Sequence, residues 1–214
     1  DIIFADLNSN TIEGGAGADT LSGGDGIDKI YGYYKGQSES ITEYDTVSYE
    51  YLTSKAVTIN LETGIAYVDA NDNDTLISIE NVIAGGSNDI ITGSSVVNTL
   101  QGGAGDDTFI SSLGDDLIYG GTTLADSHTT GDMVDYSNNI NTNNKLFIDL
   151  GTTIGDGYSE ALMTLISDNS KVYTDKLYGI ENITGTQNND TLYGNNLNNT
   201  LLGAEGNDTL KGGL

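Results

Sequence analysis

Cysteine, proline and tryptophan are absent from this chain of 214 residues, and arginine is absent too. Without cysteine there are neither disulfides nor thiolate metal sites, so stability has to come from elsewhere. Seven lysines stand against 32 acidic residues, for a formal net charge of -25. Such a chain offers little to polyanions, so nucleic acid is not expected as a partner. His128 is the single histidine and lies beside Asp126, Ser127 and Asp132 in a stretch rich in Thr, Ser and Gly. That stretch reads as a solvated loop; with no second histidine and no arginine, no catalytic residue is assigned. No signal-peptide pattern is seen, and no apolar run approaches the roughly 18 residues that a membrane span needs. Self-repulsion at this charge works against a compact state unless cations relieve it.

What is abundant is glycine, and it is ordered. Gly14-Gly15-Ala16-Gly17-Ala18-Asp19-Thr20-Leu21-Ser22 and Gly23-Gly24-Asp25-Gly26-Ile27-Asp28-Lys29-Ile30-Tyr31 are consecutive copies of G-G-x-G-x-D-x-U-x, where U is a large apolar residue. The register extends backward to Asn10 with Ile12 and to Asp1 with Ile3. A further copy runs from Gly102 to Phe109, flanked in register by Asp89, Asn98 and Asp116. Asp190, Asn199 and Asp208 carry the register near the end. A shift of 101 residues takes Glu80, Asp89, Asn98 and Asp107 onto Glu181, Asp190, Asn199 and Asp208.

Each nonapeptide divides into a six-residue turn and a three-residue strand. Glycine lets the turn bring main-chain carbonyls toward a common point, and the sixth-position Asp adds a carboxylate there. Strand alternation sends the eighth residue inward, so Ile3, Ile12, Leu21, Ile30, Ile91, Leu100, Phe109, Ile118, Leu192, Leu201 and Leu210 form the expected core column. Two nonapeptides make a coil, and residues eighteen apart stack at about 4.8 Å. The expected fold is all-β, a right-handed parallel β-roll, with Asp1 under Asp19, Asn10 under Asp28, Asp89 under Asp107, Asn98 under Asp116 and Asp190 under Asp208.

Hard oxygen ligands in flexible turns suit Ca²⁺ better than Mg²⁺ or a transition metal. The candidate metal residues are the turn glycines Gly14, Gly15, Gly17, Gly23, Gly24, Gly26, Gly102, Gly103, Gly105, Gly114 and Gly206. With them go the carboxylates Asp1, Asp19, Asp28, Asp45, Glu80, Asp89, Asp107, Asp116, Asp132, Glu181, Asp190 and Asp208. Asn10, Asn98 and Asn199 replace the sixth-position Asp, and Ser111 and Ala204 replace glycines, so their edges are expected to be weaker or empty.

Residues 1–214 read as one elongated domain, with repeat blocks 1–32, 84–121 and 185–214 and inserts 33–83 and 122–184. Each insert has an Asp-x-Val-x-Tyr element (Asp45 to Tyr49, Asp132 to Tyr136), an alternating run (Val57 to Leu61, Leu146 to Leu150) and an Ile-Glu-Asn element containing Glu80 or Glu181. They are expected to be widened coils of the roll, with loops at Tyr33 to Tyr44 and Thr122 to Gly131 bulging from its edge. Glu160 to Ser167 fits either a strand or a short helix. Asp69 to Asp74 with Glu80 comes close to a D-x-[DN]-x-[DN]-G-x₅-E calcium loop but lacks the Gly, and it reads as a solvated acidic turn. The chain opens in mid-repeat and stops at Gly212-Gly213-Leu214, which suggests a piece of a longer array.

These nonapeptides resemble the haemolysin-type repeats of the secreted repeats-in-toxin proteins, and the inserts resemble stretches that interrupt such arrays in large bacterial adhesins and serralysin-like proteins. The resemblance implies bound calcium ions, export through a one-step bacterial channel as an unfolded chain, and folding outside the cell. The expected role is a non-catalytic calcium-binding spacer of a secreted or surface-attached protein, an adhesin first of all, with neighbouring repeats as partners. Two alternatives stand beside it: the repeat appendage of a secreted epimerase, lyase or protease, and a glycan-binding module using outward Tyr31, Tyr119 and Tyr193 with Tyr33 and Tyr34. Thr20, Thr108, Thr191 and Thr209 recur at the seventh position but are mixed with Lys29, Ile90 and Leu117, too irregular for an ice-matching ladder.

Overall fold

Short strands separated by glycine-rich turns run through the whole computed structural model, which describes residues 1–33, 43–121, 131–138, 144–151, 159–165 and 172–213. The first block forms β1 (Ile2–Phe4), β2 (Thr11–Glu13), β3 (Thr20–Ser22) and β4 (Lys29–Tyr31), and the first insert β5 (Thr46–Ser48), β6 (Thr58–Asn60), β7 (Ile65–Asp69) and β8 (Asp72–Ile77). Then come β9 (Asn81–Ile83), β10 (Ile90–Thr92), β11 (Thr99–Gln101), β12 (Thr108–Ile110) and β13 (Leu117–Tyr119). The second insert contributes β14 (Met133–Asp135), β15 (Asn144–Asp149), β16 (Ser159–Leu165) and β17 (Val172–Tyr178), followed by β18 (Asn182–Thr184), β19 (Thr191–Tyr193), β20 (Leu201–Leu202) and β21 (Thr209–Lys211). No helix occurs among the described residues.

Consecutive repeat strands alternate between two sheets. One has eleven strands in the order β1-β3-β5-β9-β11-β13-β17-β16-β15-β19-β21, and the other ten in the order β2-β4-β8-β7-β6-β10-β12-β14-β18-β20. In the repeat blocks the pairing is parallel with an eighteen-residue offset, as in Ile3 with Leu21, Ile12 with Ile30, Ile91 with Phe109 and Leu100 with Ile118. The fold is therefore an all-β parallel roll. The eighth-position side chains meet between the sheets: Ile12, Leu21, Ile30, Ile91, Leu100, Phe109, Ile118 and Leu192 are buried. Truncating a buried residue such as Phe109 to Ala costs about 3–5 kcal/mol. Ile3 and Leu201 are half-buried, and Leu210 is 46% exposed because β21 has a neighbour on one side only.

The inserts depart from simple widened coils. In the first, β6 pairs in parallel with β10 and antiparallel with β7, and β7 pairs antiparallel with β8, which lies parallel to β4. In the second, β15, β16 and β17 repeat the arrangement, but in the other sheet. The chain thus climbs two strand positions and zigzags back. Because each sheet receives one such excursion, and strands sit about 4.8 Å apart, neither sheet outgrows its partner. Glu160 to Leu165 belong to strand β16; Ile166 and Ser167 lie outside the described residues. So do Tyr34, His128 and most of both expected edge loops.

A buried tyrosine secures each insert. Tyr49 and Tyr136, four residues past Asp45 and Asp132, are fully buried. Their hydroxyls donate to the second carboxylate oxygens of Asp74 and Asp175, each at 2.8 Å. Burial first, and then the charge of the acceptor Asp, raise both hydroxyls well above the usual tyrosine range, so they remain donors. Tyr49→Phe leaves Asp74 with a buried unpartnered oxygen, a loss of about 1–3 kcal/mol. Urea unfolding at saturating Ca²⁺ should show that loss for Tyr49→Phe and Tyr136→Phe alike, with no change in the number of ions bound.

Candidate metal-binding ladders

Sixth-position residues stack into ladders along the two edges of the roll. On one edge the amide of Asp19 donates to Asp45 Oδ1 (2.8 Å), Asp45 to Glu80 Oε2 (2.8 Å), Asn98 to Asp116 Oδ1 (2.9 Å) and Asp116 to Asp175 Oδ1 (3.0 Å). The N-terminal amine of Asp1 donates to Asp19 below that series. On the other edge Asn10 donates to Asp28 (2.6 Å) and Asp28 to Asp74 (2.9 Å); beyond the hairpin, Asp89 donates to Asp107 (2.7 Å), Asp107 to Asp132 (2.8 Å) and Asp132 to Glu181 (3.3 Å). A last rung joins Asp190 to Asp208 at 2.9 Å. The eighteen-residue spacing expects Asp1 with Asp19, Asn10 with Asp28, Asp89 with Asp107, Asn98 with Asp116 and Asp190 with Asp208, and each of these pairs is bonded here. It overlooks Asp74 and Asp175, although each has a Leu two residues on and the same 101-residue shift relates them.

Each of these accepting carboxylates thus commits one oxygen to the amide of its neighbour. The second oxygen separates the rungs. In the three full G-G-x-G-x-D turns, Asp19 Oδ2, Asp28 Oδ2 and Asp107 Oδ2 are buried without a hydrogen-bond partner. Each points at the first glycine of its own turn: a Cβ on Gly14 would lie 2.5 Å from Asp19 Oδ2, and Gly23 and Gly102 face Asp28 and Asp107 likewise. In the Gly102 turn, Gly103 and Gly105 adopt φ of 102° and 126°, a region that side chains avoid.

Degenerate turns close themselves. Asp89 accepts from the amides of Val57 and Gly85, both at 2.8 Å, and Asp190 accepts from the amides of Leu146 and Thr186 and from the Thr186 hydroxyl. The amide groups of Asn98 and Asn199 donate to the carbonyls of Glu80 and Glu181, at 2.7 and 2.8 Å, and accept from Ser94 and Asn195. At Asp116 the hydroxyl of Ser112, in a turn without its first glycine, donates to Oδ2 at 3.2 Å. Ala204 takes a glycine's place with φ of 65°. Among the described residues no three acidic or His side chains converge, so a cation here would draw on turn carbonyls with one or two carboxylates.

The other candidates disperse. Asp69 and Asn71 lie at the β7–β8 turn, where Asp69 pairs with Lys55 at 3.0 Å, while Asp72 and Asp74 are buried and Glu80 belongs to the opposite ladder. The segment is therefore neither one calcium loop nor a wholly solvated turn. Tyr31 lies in the ten-stranded sheet, and Tyr119 and Tyr193 lie in the other, separated by β17, β16 and β15. Tyr119 stacks on Tyr178 at 4.5 Å. No shared aromatic platform forms from them.

Burial pushes the Asp107 carboxyl up to about 7, helped by Asp132 and Asp89, and Asp116 to about 7, helped by Asp175. Glu181 likewise rises to about 7, and Asp28 to about 6. Folded values above the unfolded range of about 4 mean that the ion-free fold binds more protons than the unfolded chain. Its stability therefore falls as pH rises from about 4 through about 7. A cation at these carboxylates would replace those protons, so its affinity should run the opposite way. Acidifying the ion-free chain from pH 7.5 to 4.5 should increase its β circular dichroism, and the Ca²⁺ midpoint should be higher at pH 5.5 than at 7.5; equal midpoints would contradict this electrostatic account.

Residues 1–32, 92–122 and 177–210 match the family model of the RTX calcium-binding nonapeptide repeat, in four copies. No curated protein matches the chain. The matched stretches contain the three full glycine turns that end in Asp19, Asp28 and Asp107, and repeats of this family bind calcium ions. These three stretches thus carry the RTX calcium-binding nonapeptide repeat, and in the structure the nonapeptides stack into a parallel β-roll.

Proposed function

We propose that residues 1–214 form a single elongated, non-catalytic module that binds several calcium ions and serves as a structural spacer in a large secreted or surface-attached bacterial protein, an adhesin in the first place. The observation that supports it most is the unpartnered second oxygen at Asp19, Asp28 and Asp107, each facing the first glycine of its own turn. A buried carboxylate without a partner is unfavourable, and a hard cation answers it. In this reading the full turns at Gly14–Asp19, Gly23–Asp28 and Gly102–Asp107 are the strongest sites. The rungs at Asp1, Asp45, Glu80, Asp132, Glu181 and Asp208 are auxiliary ligands, and the self-closed rungs at Asp89, Asp116 and Asp190 bind weakly.

Extracellular calcium modules have dissociation constants of roughly 10⁻⁴–10⁻³ M, which suits a chain that stays unfolded until exported. With a charge of -25, it would remain expanded in the calcium-poor cytosol. Coils that touch only their neighbours suit a spacer.

Calcium titration followed by circular dichroism tests this. The chelated chain should be largely unfolded at pH 7.5 and gain β signal cooperatively at millimolar Ca²⁺. Asp107→Asn should raise the midpoint several-fold, Glu80→Gln less, and His128→Ala not at all. Identical β content and melting temperature with and without chelator would overturn the proposal.

A further inference from the structure

Asp72 is a buried carboxylate that the nonapeptide pattern does not account for. It is 3% exposed, and neither Oδ1 nor Oδ2 has a hydrogen-bond partner. Alternation along β8 turns Asp72, Asp74 and Leu76 inward and leaves Asn73 and Thr75 exposed. Asp74 cannot relieve it, since its own oxygens take the Asp28 amide and the Tyr49 hydroxyl. Lys55 is engaged at the exposed Asp69.

Pairing of Lys29 with Thr75 and Ile30 with Leu76 fixes what lies below. With Asp74 as the rung over Asp28, Asp72 falls over Gly26, where the fourth-position glycine of a stacked turn would sit. The Gly23–Asp28 turn therefore lacks a second glycine turn above it and meets a carboxylate instead. That turn brings its main-chain carbonyls and the unpartnered Asp28 Oδ2. Tyr51 anchors it by donating to the Gly24 carbonyl at 2.7 Å.

The second insert is an internal control. Its amide-to-carboxylate rung from Asp116 to Asp175 corresponds to that from Asp28 to Asp74. The 101-residue shift, however, takes Asp72 to Tyr173, and Ser112 donates to Asp116 Oδ2. Both features that leave oxygens unpartnered in the first insert are replaced in the second.

We infer that Asp72 is a ligand for a hard divalent cation, calcium, seated between the β7–β8 hairpin and the Gly23–Asp28 turn, which ties the first insert to the roll through an ion that the second insert does not have. The inference rests on the reading that full nonapeptide turns bind calcium. Asp72→Asn keeps the shape and removes the charge. Native mass spectrometry and calcium titration of the full chain should show one ion fewer and a higher midpoint for Asp72→Asn, and no further loss in the double variant with Asp28→Asn relative to Asp28→Asn alone. In chelator at pH 7.5, Asp72→Asn should raise the β signal above wild type, because an uncompensated buried charge has gone. An unchanged ion count would overturn the inference, as would lower β signal in chelator, which marks a purely structural role. Absence of calcium binding by the wild type would instead defeat the broader functional reading.

Discussion

The structure hangs on a single recurring contact, in which the amide of one rung donates to a carboxylate oxygen of the next. From Asp19 to Asp45 and from Asp89 to Asp107 to Asp132 this bond sets the stacking and aligns the carboxylates in files along the edges. Files of like charge repel, and burial makes the repulsion worse. Fold and cation demand therefore have one origin: the geometry that holds the coils together also concentrates negative charge where it is least tolerable.

Three chemistries relieve that charge. In full glycine turns the second oxygen has no hydrogen-bond partner in the protein, and the proposed function gives it to a cation. In degenerate turns the protein supplies the donor itself, as Ser112 does for Asp116 and Thr186 for Asp190. In the inserts a tyrosine reaches across the core to the opposite ladder, from the Asp45 strand to Asp74 and from the Asp132 strand to Asp175. The Asp-x-Val-x-Tyr element thereby acquires a physical meaning: rung, core residue, and cap for a rung on the far side. At Asp74 and Asp175 the inserts thus close a rung through a tyrosine hydroxyl.

The antiparallel excursions follow a related constraint. A hairpin in one sheet alone would leave the facing sheet short by two strands. Placing the second excursion in the opposite sheet restores the balance, and the core stays continuous from Ile12 to Leu192.

The parallel roll, the inward column and most rungs were legible in the sequence, because the nine-residue period acts locally: glycine positions dictate each turn, and alternation dictates each inward residue. Asp107 could be placed by counting eighteen from Asp89. Counting could not reverse a strand. Whether the run Val57 to Leu61 pairs with the coil before it or with the one two positions beyond depends on which edges remain open after the other coils have formed. For the same reason the nine-residue pattern does not mark Asp74 and Asp175 as rungs, nor does it show the role of Tyr49 and Tyr136, whose acceptors lie 25 and 39 residues away on the opposite ladder. The second oxygens were likewise decided in three dimensions. Asp89 and Asp107 are alike in sequence position, yet one is satisfied by the amides of Val57 and Gly85 while the other keeps a buried oxygen unpartnered. Local spacing determined which residues form the ladders; the long-range contacts around each rung determined which of them remain open to an ion.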